Sequence, residues 1–294
     1  LHESPGEDGL KLSGFMDQAY GGKVREKKRL DEKRGEFLLG FEDLAKRLKE
    51  RPKRAEVEEL APKEAGSIVD LVVSASPKGR REETIWGILS SLAAERLPTP
   101  LVMPPKNYAG LELRGGTIIL DENAPAAGLK AKSSEVAART ARMRAHHLGE
   151  KMSGGRLFVR GRAGDYLGQE MRGGGIVCTS CGDYAFRNMA GGWGVVRGDA
   201  GNYLGVGNSG GRIAVKGRAG ARAGWLMRSG RIRLGKDAGE YLGIMMSGGA
   251  ISVGGRTGAR AGWRMKGGLI VAEGYGDEAG AEKVGGKLLR REAP

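Results

Sequence analysis

A glycine-rich unit recurs about every 19 residues from Lys151 almost to the C-terminus, and no other property of the chain restricts its fold so strongly. The frame reads G-x-A-G-x-Y-x-G-x-x-M-x-G-G-x-I-x-V. Gly164-Asp-Tyr-Leu-Gly168 returns as Gly201-Asn-Tyr-Leu-Gly205, Gly220-Ala-Arg-Ala-Gly224, Gly239-Glu-Tyr-Leu-Gly243, Gly258-Ala-Arg-Ala-Gly262 and Gly276-Asp-Glu-Ala-Gly280. Met152, Met171, Met189, Met227, Met246 and Met265 keep the same step. A period near 20 with one short β run per unit is the signature of a solenoid.

The positions within a unit sort by face. After each Gly-Gly the second and fourth residues are Ile118/Leu120, Leu157/Val159, Ile176/Cys178, Gly194/Val196, Ile213/Val215, Ile232/Leu234, Ile251/Val253 and Ile270/Ala272. Alternate residues of a strand share a face. Stacked coil on coil, these pairs make two aliphatic ladders inside a parallel β-helix, while Arg212, Ala214, Arg231, Arg233, Ala250 and Ser252 point outward. One coil cannot bury its own ladder, so only the stack is stable. The phrase Arg114-Gly-Gly-Thr-Ile-Ile-Leu120 opens the repeat early. Because Gly116 lies two periods and one residue before Gly155, a degenerate coil is expected between them, over Ala127 to Glu150. Ala138 to His147 would then be a helical excursion or an irregular turn.

Upstream, residues 1–35 read as a tail of mixed charge, and residues 36–105 as a small α/β cap or docking segment. Phe41, Leu44 and Leu48 follow helical spacing, which Arg51-Pro52 ends. Ser67-Ile-Val-Asp-Leu-Val-Val73 reads as a strand, Glu82–Leu97 as a helix, and Pro98 to Pro105 as a stiff connector. The β-helix is assigned to residues 106–285 and a C-terminal tail to 286–294.

Of the 53 glycines, 15 precede residue 151 and 38 follow it. Charge breaks at the same place: residues 1–150 carry a net +2 and residues 151–294 a net +12. Such an excess suits nucleic acid or an acidic protein partner, although the tyrosines and tryptophans keep fixed places in the repeat rather than alternating with exposed basic residues. No apolar run is long enough to span a bilayer. The first residues show no basic-then-apolar signal pattern, and two cysteines exclude a disulfide framework, so a reducing cytoplasm is expected. Two glutamines beside abundant Arg and Glu hint at a thermophile.

Several catalytic motifs appear and each dissolves into the repeat. Cys178-Thr-Ser-Cys181 has redox or half-zinc spacing, but Cys178 falls on the inward register of Val159 and Val196, and Cys181 where other units place Ala163, Ala200, Ala219 and Ala238. Both read as small buried hydrophobes. Gly207-Asn-Ser-Gly-Gly211 matches a hydrolase elbow, yet a strand rather than a helix should follow Ser209 and no histidine follows His147. Gly205 to Gly210 lacks the strand-to-helix context of a dinucleotide fingerprint. In Gly230-Arg-Ile-Arg-Leu-Gly235-Lys236, Asp237 stands where a P-loop needs a hydroxyl. His146-His147 reads as a surface pair, with no Asp, Glu or Cys in register. No catalytic, cofactor or metal residue is therefore assigned.

One two-coil alternation invites a docking role. Arg218-Ala-Gly-Ala-Arg-Ala-Gly-Trp225 recurs as Arg256-Thr-Gly-Ala-Arg-Ala-Gly-Trp263, which places Arg222 and Arg260 on one edge about 10 Å apart. With Arg218, Arg228, Arg256 and Lys266 they form a candidate basic stripe for an acidic partner. Plain solvation of the outer side is the simpler reading of the same residues.

The unit A-G-D-Y-L-G-x-x-M-x-G-G-x-I-x-V-x-G, at Ala163–Gly175 and Ala238–Gly254, resembles the non-catalytic β-helix subunit of formylmethanofuran dehydrogenase and the related C-terminal G-x-G-x-G domain of the glutamate synthase large subunit. The resemblance covers residues 110–280 and leaves the stretch before residue 100 unmatched. Ala200 to Gly205 favours the first family; Arg187-Asn188-Met189 and Asn208-Ser209-Gly210 favour the second. Either resemblance implies a right-handed parallel β-helix without catalytic side chains. It also implies that pterin-metal and amidohydrolase chemistry, or flavin and iron–sulfur chemistry, lies on other chains or domains. The expectation is a structural subunit of a cytoplasmic oxidoreductase complex, holding no cofactor of its own. The alternatives are a stand-alone G-x-G-x-G subunit of glutamate synthase type, and a basic β-helix that binds nucleic acid or an acidic protein.

Overall fold

A computed structural model describes residues 40–121, 124 and 145–291. Within these residues four helices come before the strands: α1 (Phe41–Arg47), α2 (Arg54–Leu60), α3 (Ala65–Ser74) and α4 (Gly79–Arg96). Ten strands follow: β1 (Leu101–Met103), β2 (Thr117–Asp121), β3 (Ser153–Arg162), β4 (Gly173–Ser180), β5 (Trp193–Val196), β6 (Ser209–Val215), β7 (Ser229–Leu234), β8 (Ala250–Val253), β9 (Leu269–Ala272) and β10 (Lys287–Arg290). They form one parallel sheet in strict sequence order. Each strand is thus one rung of a parallel β-helix, as the ladders require.

The register matches residue for residue. Ile118, Leu157, Ile176, Gly194, Ile213, Ile232, Ile251 and Ile270 stand in one column. Leu120, Val159, Cys178, Val196, Val215, Leu234 and Val253 stand in the second. All of these aliphatic side chains and Cys178 are buried, and each full burial of this kind contributes about 1.5–3 kcal/mol. A third column, Cys181, Ala200, Ala219, Ala238 and Thr257, joins the coils by single bridges after the strand. The methionines make a fourth, buried column, in which Asn208 takes one place. Its Oδ1 accepts the Gly210 and Gly211 N–H groups at 3.2 and 3.0 Å.

Between the bridge column and the methionines the chain makes a tight turn with left-handed backbone at alternate residues. Tyr108, His147, Tyr166, Tyr184, Tyr203, Arg222, Tyr241, Arg260 and Glu278 hold the first such position, with φ from 55° to 61°. Left-handed backbone costs a non-glycine residue roughly 1–2 kcal/mol. It is offset because each N–H then points along the stack: Tyr166 donates to the Asp183 carbonyl at 2.9 Å, Tyr184 to Asn202 at 2.9 Å and Arg222 to Glu240 at 2.8 Å. Two residues later most coils use glycine, but Phe186 occupies that place in one coil at φ 58°. Its buried ring needs room, and the first aliphatic column supplies it at Gly194, where an added Cβ would lie 2.2 Å from Phe186 Cζ.

Four expectations need correction. Residues 67–73 are not a strand but part of α3, with Ile68, Leu71 and Val72 buried at helical spacing. The N-terminal segment is therefore helical rather than α/β, since β1 belongs to the β-helix. No degenerate coil lies between β2 and β3: Ile118 pairs directly with Leu157, and the Tyr108 N–H reaches the His146 carbonyl at 3.0 Å. β2 and β3 are therefore neighbouring rungs. Of the proposed excursion from Ala138 to His147, the part before residue 145 lies outside the described residues. The β-helix also starts before residue 106, at β1, and runs past 285 through β10.

The helices close the first coil. An end coil of a solenoid exposes backbone groups that the next coil would otherwise satisfy. Ser90 Oγ accepts the Gly110 N–H at 3.1 Å, and Ser91 Oγ donates to the Leu111 carbonyl at 2.8 Å. Arg54, itself buried, donates to the Glu112 carbonyl at 2.8 Å and pairs with Glu95 at 2.6 Å. α4 can come this close because Gly87 lies against Tyr108, where a Cβ would be 2.4 Å from the carbonyl oxygen. So α4 replaces the missing preceding coil.

Two irregular positions yield predictions. Phe186→Gly should destabilise by about 3–5 kcal/mol through the cavity it leaves, and Gly194→Ile by overpacking. The double variant restores the common pattern, so denaturant melts should show it more stable than the sum of the single changes by more than about 1 kcal/mol. Thr257 breaks the alanine column and its buried Oγ1 has no hydrogen-bond partner. Thr257→Ala is therefore expected to raise stability by on the order of 1 kcal/mol, read from the shift of the guanidinium midpoint.

Candidate functional site

The turn corner gathers the residues with the richest chemistry. Tyr108, His147, Tyr166, Tyr184 and Tyr203 stack in sequence at centroid distances of 4.7, 4.8, 5.2 and 4.5 Å, with interplanar angles of 6–8°. Equal backbone geometry at equal register leaves the rings parallel. Desolvation in the stack, and then its neighbours Tyr203 and Tyr166, raise the Tyr184 phenol above its ordinary pKa. Sequence reading saw the tyrosines as repeat members but missed Tyr108 and His147. The signal was present in Tyr108-Ala-Gly110 and His147-Leu-Gly149, which copy Tyr-Leu-Gly.

Beyond Tyr203 the column alternates cation and ring. Arg222 Cζ lies 5.4 Å from the centres of both Tyr203 and Tyr241, and its Nη1 donates to Tyr203 Oη at 2.9 Å. Arg260 lies 5.7 Å from Tyr241, donates to its Oη at 2.7 Å, and donates through Nε to Glu278 at 2.6 Å. Those contacts hold the Glu278 carboxyl below the usual carboxylate range, the hydrogen bond from Arg260 first. Arg222 and Arg260 thus do share one edge two coils apart. The other four candidates lie elsewhere. Arg218 Nε is 3.5 Å from Asp237 at the corner before the turn, where Arg256 also stands exposed. Arg228 and Lys266 are exposed after the methionine column. The six residues therefore form three separate columns instead of one stripe.

A column of side-chain oxygens runs beside the rings. Asp165 Oδ1 accepts the Asp183 N–H at 2.9 Å, Asp183 Oδ1 the Asn202 N–H at 2.7 Å, and Asn202 Oδ1 the Ala221 N–H at 2.9 Å. His146 begins it, its Nδ1 accepting the Asp165 N–H at 3.0 Å. The histidines do have acidic neighbours, contrary to the sequence reading: His146 lies 3.4 Å from an Asp165 oxygen, and His147 Nδ1 lies 2.7 Å from Glu150. These groups serve as coil-to-coil links. Among the described residues no cluster of three or more His, Cys, Asp or Glu is placed to hold a metal ion.

The remaining motifs fall where the register put them. Cys178 and Cys181 are buried and unpaired. A hydrogen bond with Cys181 and then burial push the Cys178 thiol far up. Ser209 opens β6, with Gly210 and Gly211 after it in the strand, and its Oγ reaches only the Met189 carbonyl at 3.5 Å. Gly230 to Leu234 lie in β7, not in a phosphate loop. At the joint of cap and first coil a cleft of about 710 Å3 is lined by Arg51, Arg80, Arg81 and Lys151 together with Glu50, Glu112 and Glu150. Its cations exceed its carboxylates by one, and Arg81 is already held by the Ala45, Leu48 and Lys49 carbonyls.

No protein-family model matches the chain, and no curated protein matches it. No helix among the described residues is long and apolar enough to cross a membrane.

The cysteines provide a chemical check on the register. Both thiols should resist iodoacetamide at pH 8 in the native chain and react at once in guanidinium, followed by mass. Rapid labelling of the native chain would mean that the pair is accessible. The sign for stability follows: a thiol pKa raised by folding favours the native state below the free-thiol value, and this contribution falls as pH rises above it.

Proposed function

We propose that the chain is a non-catalytic structural subunit of a cytoplasmic oxidoreductase complex, a rigid rod against which catalytic subunits dock. The observation that carries the reading is the continuous stack closed at one end by helices. From α4 to β10 the described chain is one hydrogen-bonded body, and its tyrosines, histidines and carboxylates link coil to coil. Such a body holds partners at fixed spacing, because each coil adds about 4.8 Å along the axis. The resemblance to the β-helix subunit of formylmethanofuran dehydrogenase supports this role and names the class of complex.

A second reading has its own observation. The buried Asn208, which folds the Gly210-Gly211 backbone around its amide, belongs to the Asn-Ser-Gly phrase that resembles the glutamate synthase domain. Under it the chain is a stand-alone subunit of that type.

Affinity purification of the tagged chain from its source cells, in moderate salt, tests both. Recovery with a pterin enzyme or a metal amidohydrolase is expected under the first reading, and with flavin and iron–sulfur chains under the second. Recovery of the chain alone or with RNA would reject the subunit role and leave the basic binding module.

A further inference from the structure

The outward face of the sheet carries a column that the fold does not need. Successive rungs set Val102, Ile119, Phe158, Val177, Val195 and Ala214 side by side. They alternate along their strands with the core columns and so face away from them. A solvated sheet face ordinarily carries polar residues there, as this one does further on at Arg233 and Ser252. Val102 is 49% exposed, and Trp193, in the adjoining column, is 39% exposed. The Trp193 ring lies against Gly175, where an added Cβ would be 2.1 Å from Cζ2. A depression of about 390 Å3 follows Ile119, Phe158 and Val177 between Arg160 and Arg197.

The rim of this stripe is cationic. Arg156, Arg197, Arg212, Lys216, Arg231 and Arg233 are all exposed. Among the described residues none of them has an acidic partner. The ion pair at this rim is Arg160 with Asp121, at 3.0 Å. An apolar centre with a phenylalanine and a tryptophan, ringed by arginines, has the composition of an interface hot region.

We propose that this face docks a partner protein whose contacting surface is apolar at its centre and acidic at its rim. The inference rests on the reading of the chain as an assembly subunit, and it adds the face and the chemistry of what meets it. Six rungs of about five residues span roughly 24 by 15 Å, and the arginine rim extends this toward the roughly 800 Å² per partner of a standard interface. A second copy fits badly: the chain has a formal net charge of +14, and two such faces would confront unpaired arginines in a drying interface. Nucleic acid fits less well, because Phe158 and Trp193 are the two rings among aliphatic side chains here, where a single strand stacks successive bases on successive rings.

The test uses the full chain in its source cells with a photoreactive benzoylphenylalanine at Val177 or at Val195. A third version carries it at Leu226, which is exposed on the turn side. Irradiation should join Val177 and Val195, and not Leu226, to a partner peptide rich in Asp and Glu, identified by mass spectrometry. Arg197→Glu with Arg212→Glu should abolish the cross-link, and Trp193→Thr should weaken it at least about tenfold, each with an unchanged melting curve. A partner joined only through Leu226 would overturn the face and leave the assembly role intact. No protein partner at any position would overturn both. A cross-link to RNA, to a second copy, or within the chain to residues 122–144 would also overturn the proposal.

Discussion

In this fold the backbone N–H groups that set the stack find their acceptors in a neighbouring coil. The Met152 carbonyl takes the N–H of Arg172, Met171 that of Ala190, and Met189 that of Ser209, at 2.7 to 2.8 Å. Satisfying the backbone therefore fixes the register of every side chain at once. Once the coils are in step, position in the unit decides environment, and each column becomes a separate packing problem. The aliphatic, alanine, methionine and tyrosine columns are solutions to four of them. The ends remain open, and Ser90, Ser91 and Arg54 answer that need at the first coil.

This explains how far the sequence could be read. The two core columns, the inward Cys178 and the bridge-column Cys181 followed from spacing alone, because a fixed register turns sequence position into location. The same logic removed the false motifs at Ser209 and Gly230. It failed where periodicity was absent or short. Residues 67–73 carry apolar residues that suit a strand and a helix equally, and packing against α4 decides for the helix. The long interval before Gly155 seemed to demand an extra coil because arithmetic cannot distinguish a coil from an insertion.

The candidate site was less legible for a related reason. Spacing says which residues share a column, and it does not say what a column does at its surface. Arg222 and Arg260 were correctly placed on one edge, yet their guanidinium groups are engaged with Tyr203, Tyr241 and Glu278. The apolar outward column from Val102 to Ala214 was hidden in plain alternation, because Phe158, Val177 and Val195 sit between core residues and read as a continuous apolar run. Only the register separates the two faces.

The exchange of bulk between Phe186 and Gly194 has a bearing on how such a chain reaches its folded state. Near-identical coils can dock one unit out of step, and each misplaced stack would still satisfy most backbone groups. Phe186 and Gly194 do not by themselves prevent this, because they lie eight residues apart in one unit and would travel together in a slipped stack. What they do is confine a disturbance: the bulky ring and the space that takes it sit within a single unit. The neighbouring coils keep the common pattern, so a periodic chain absorbs an exception without passing it on.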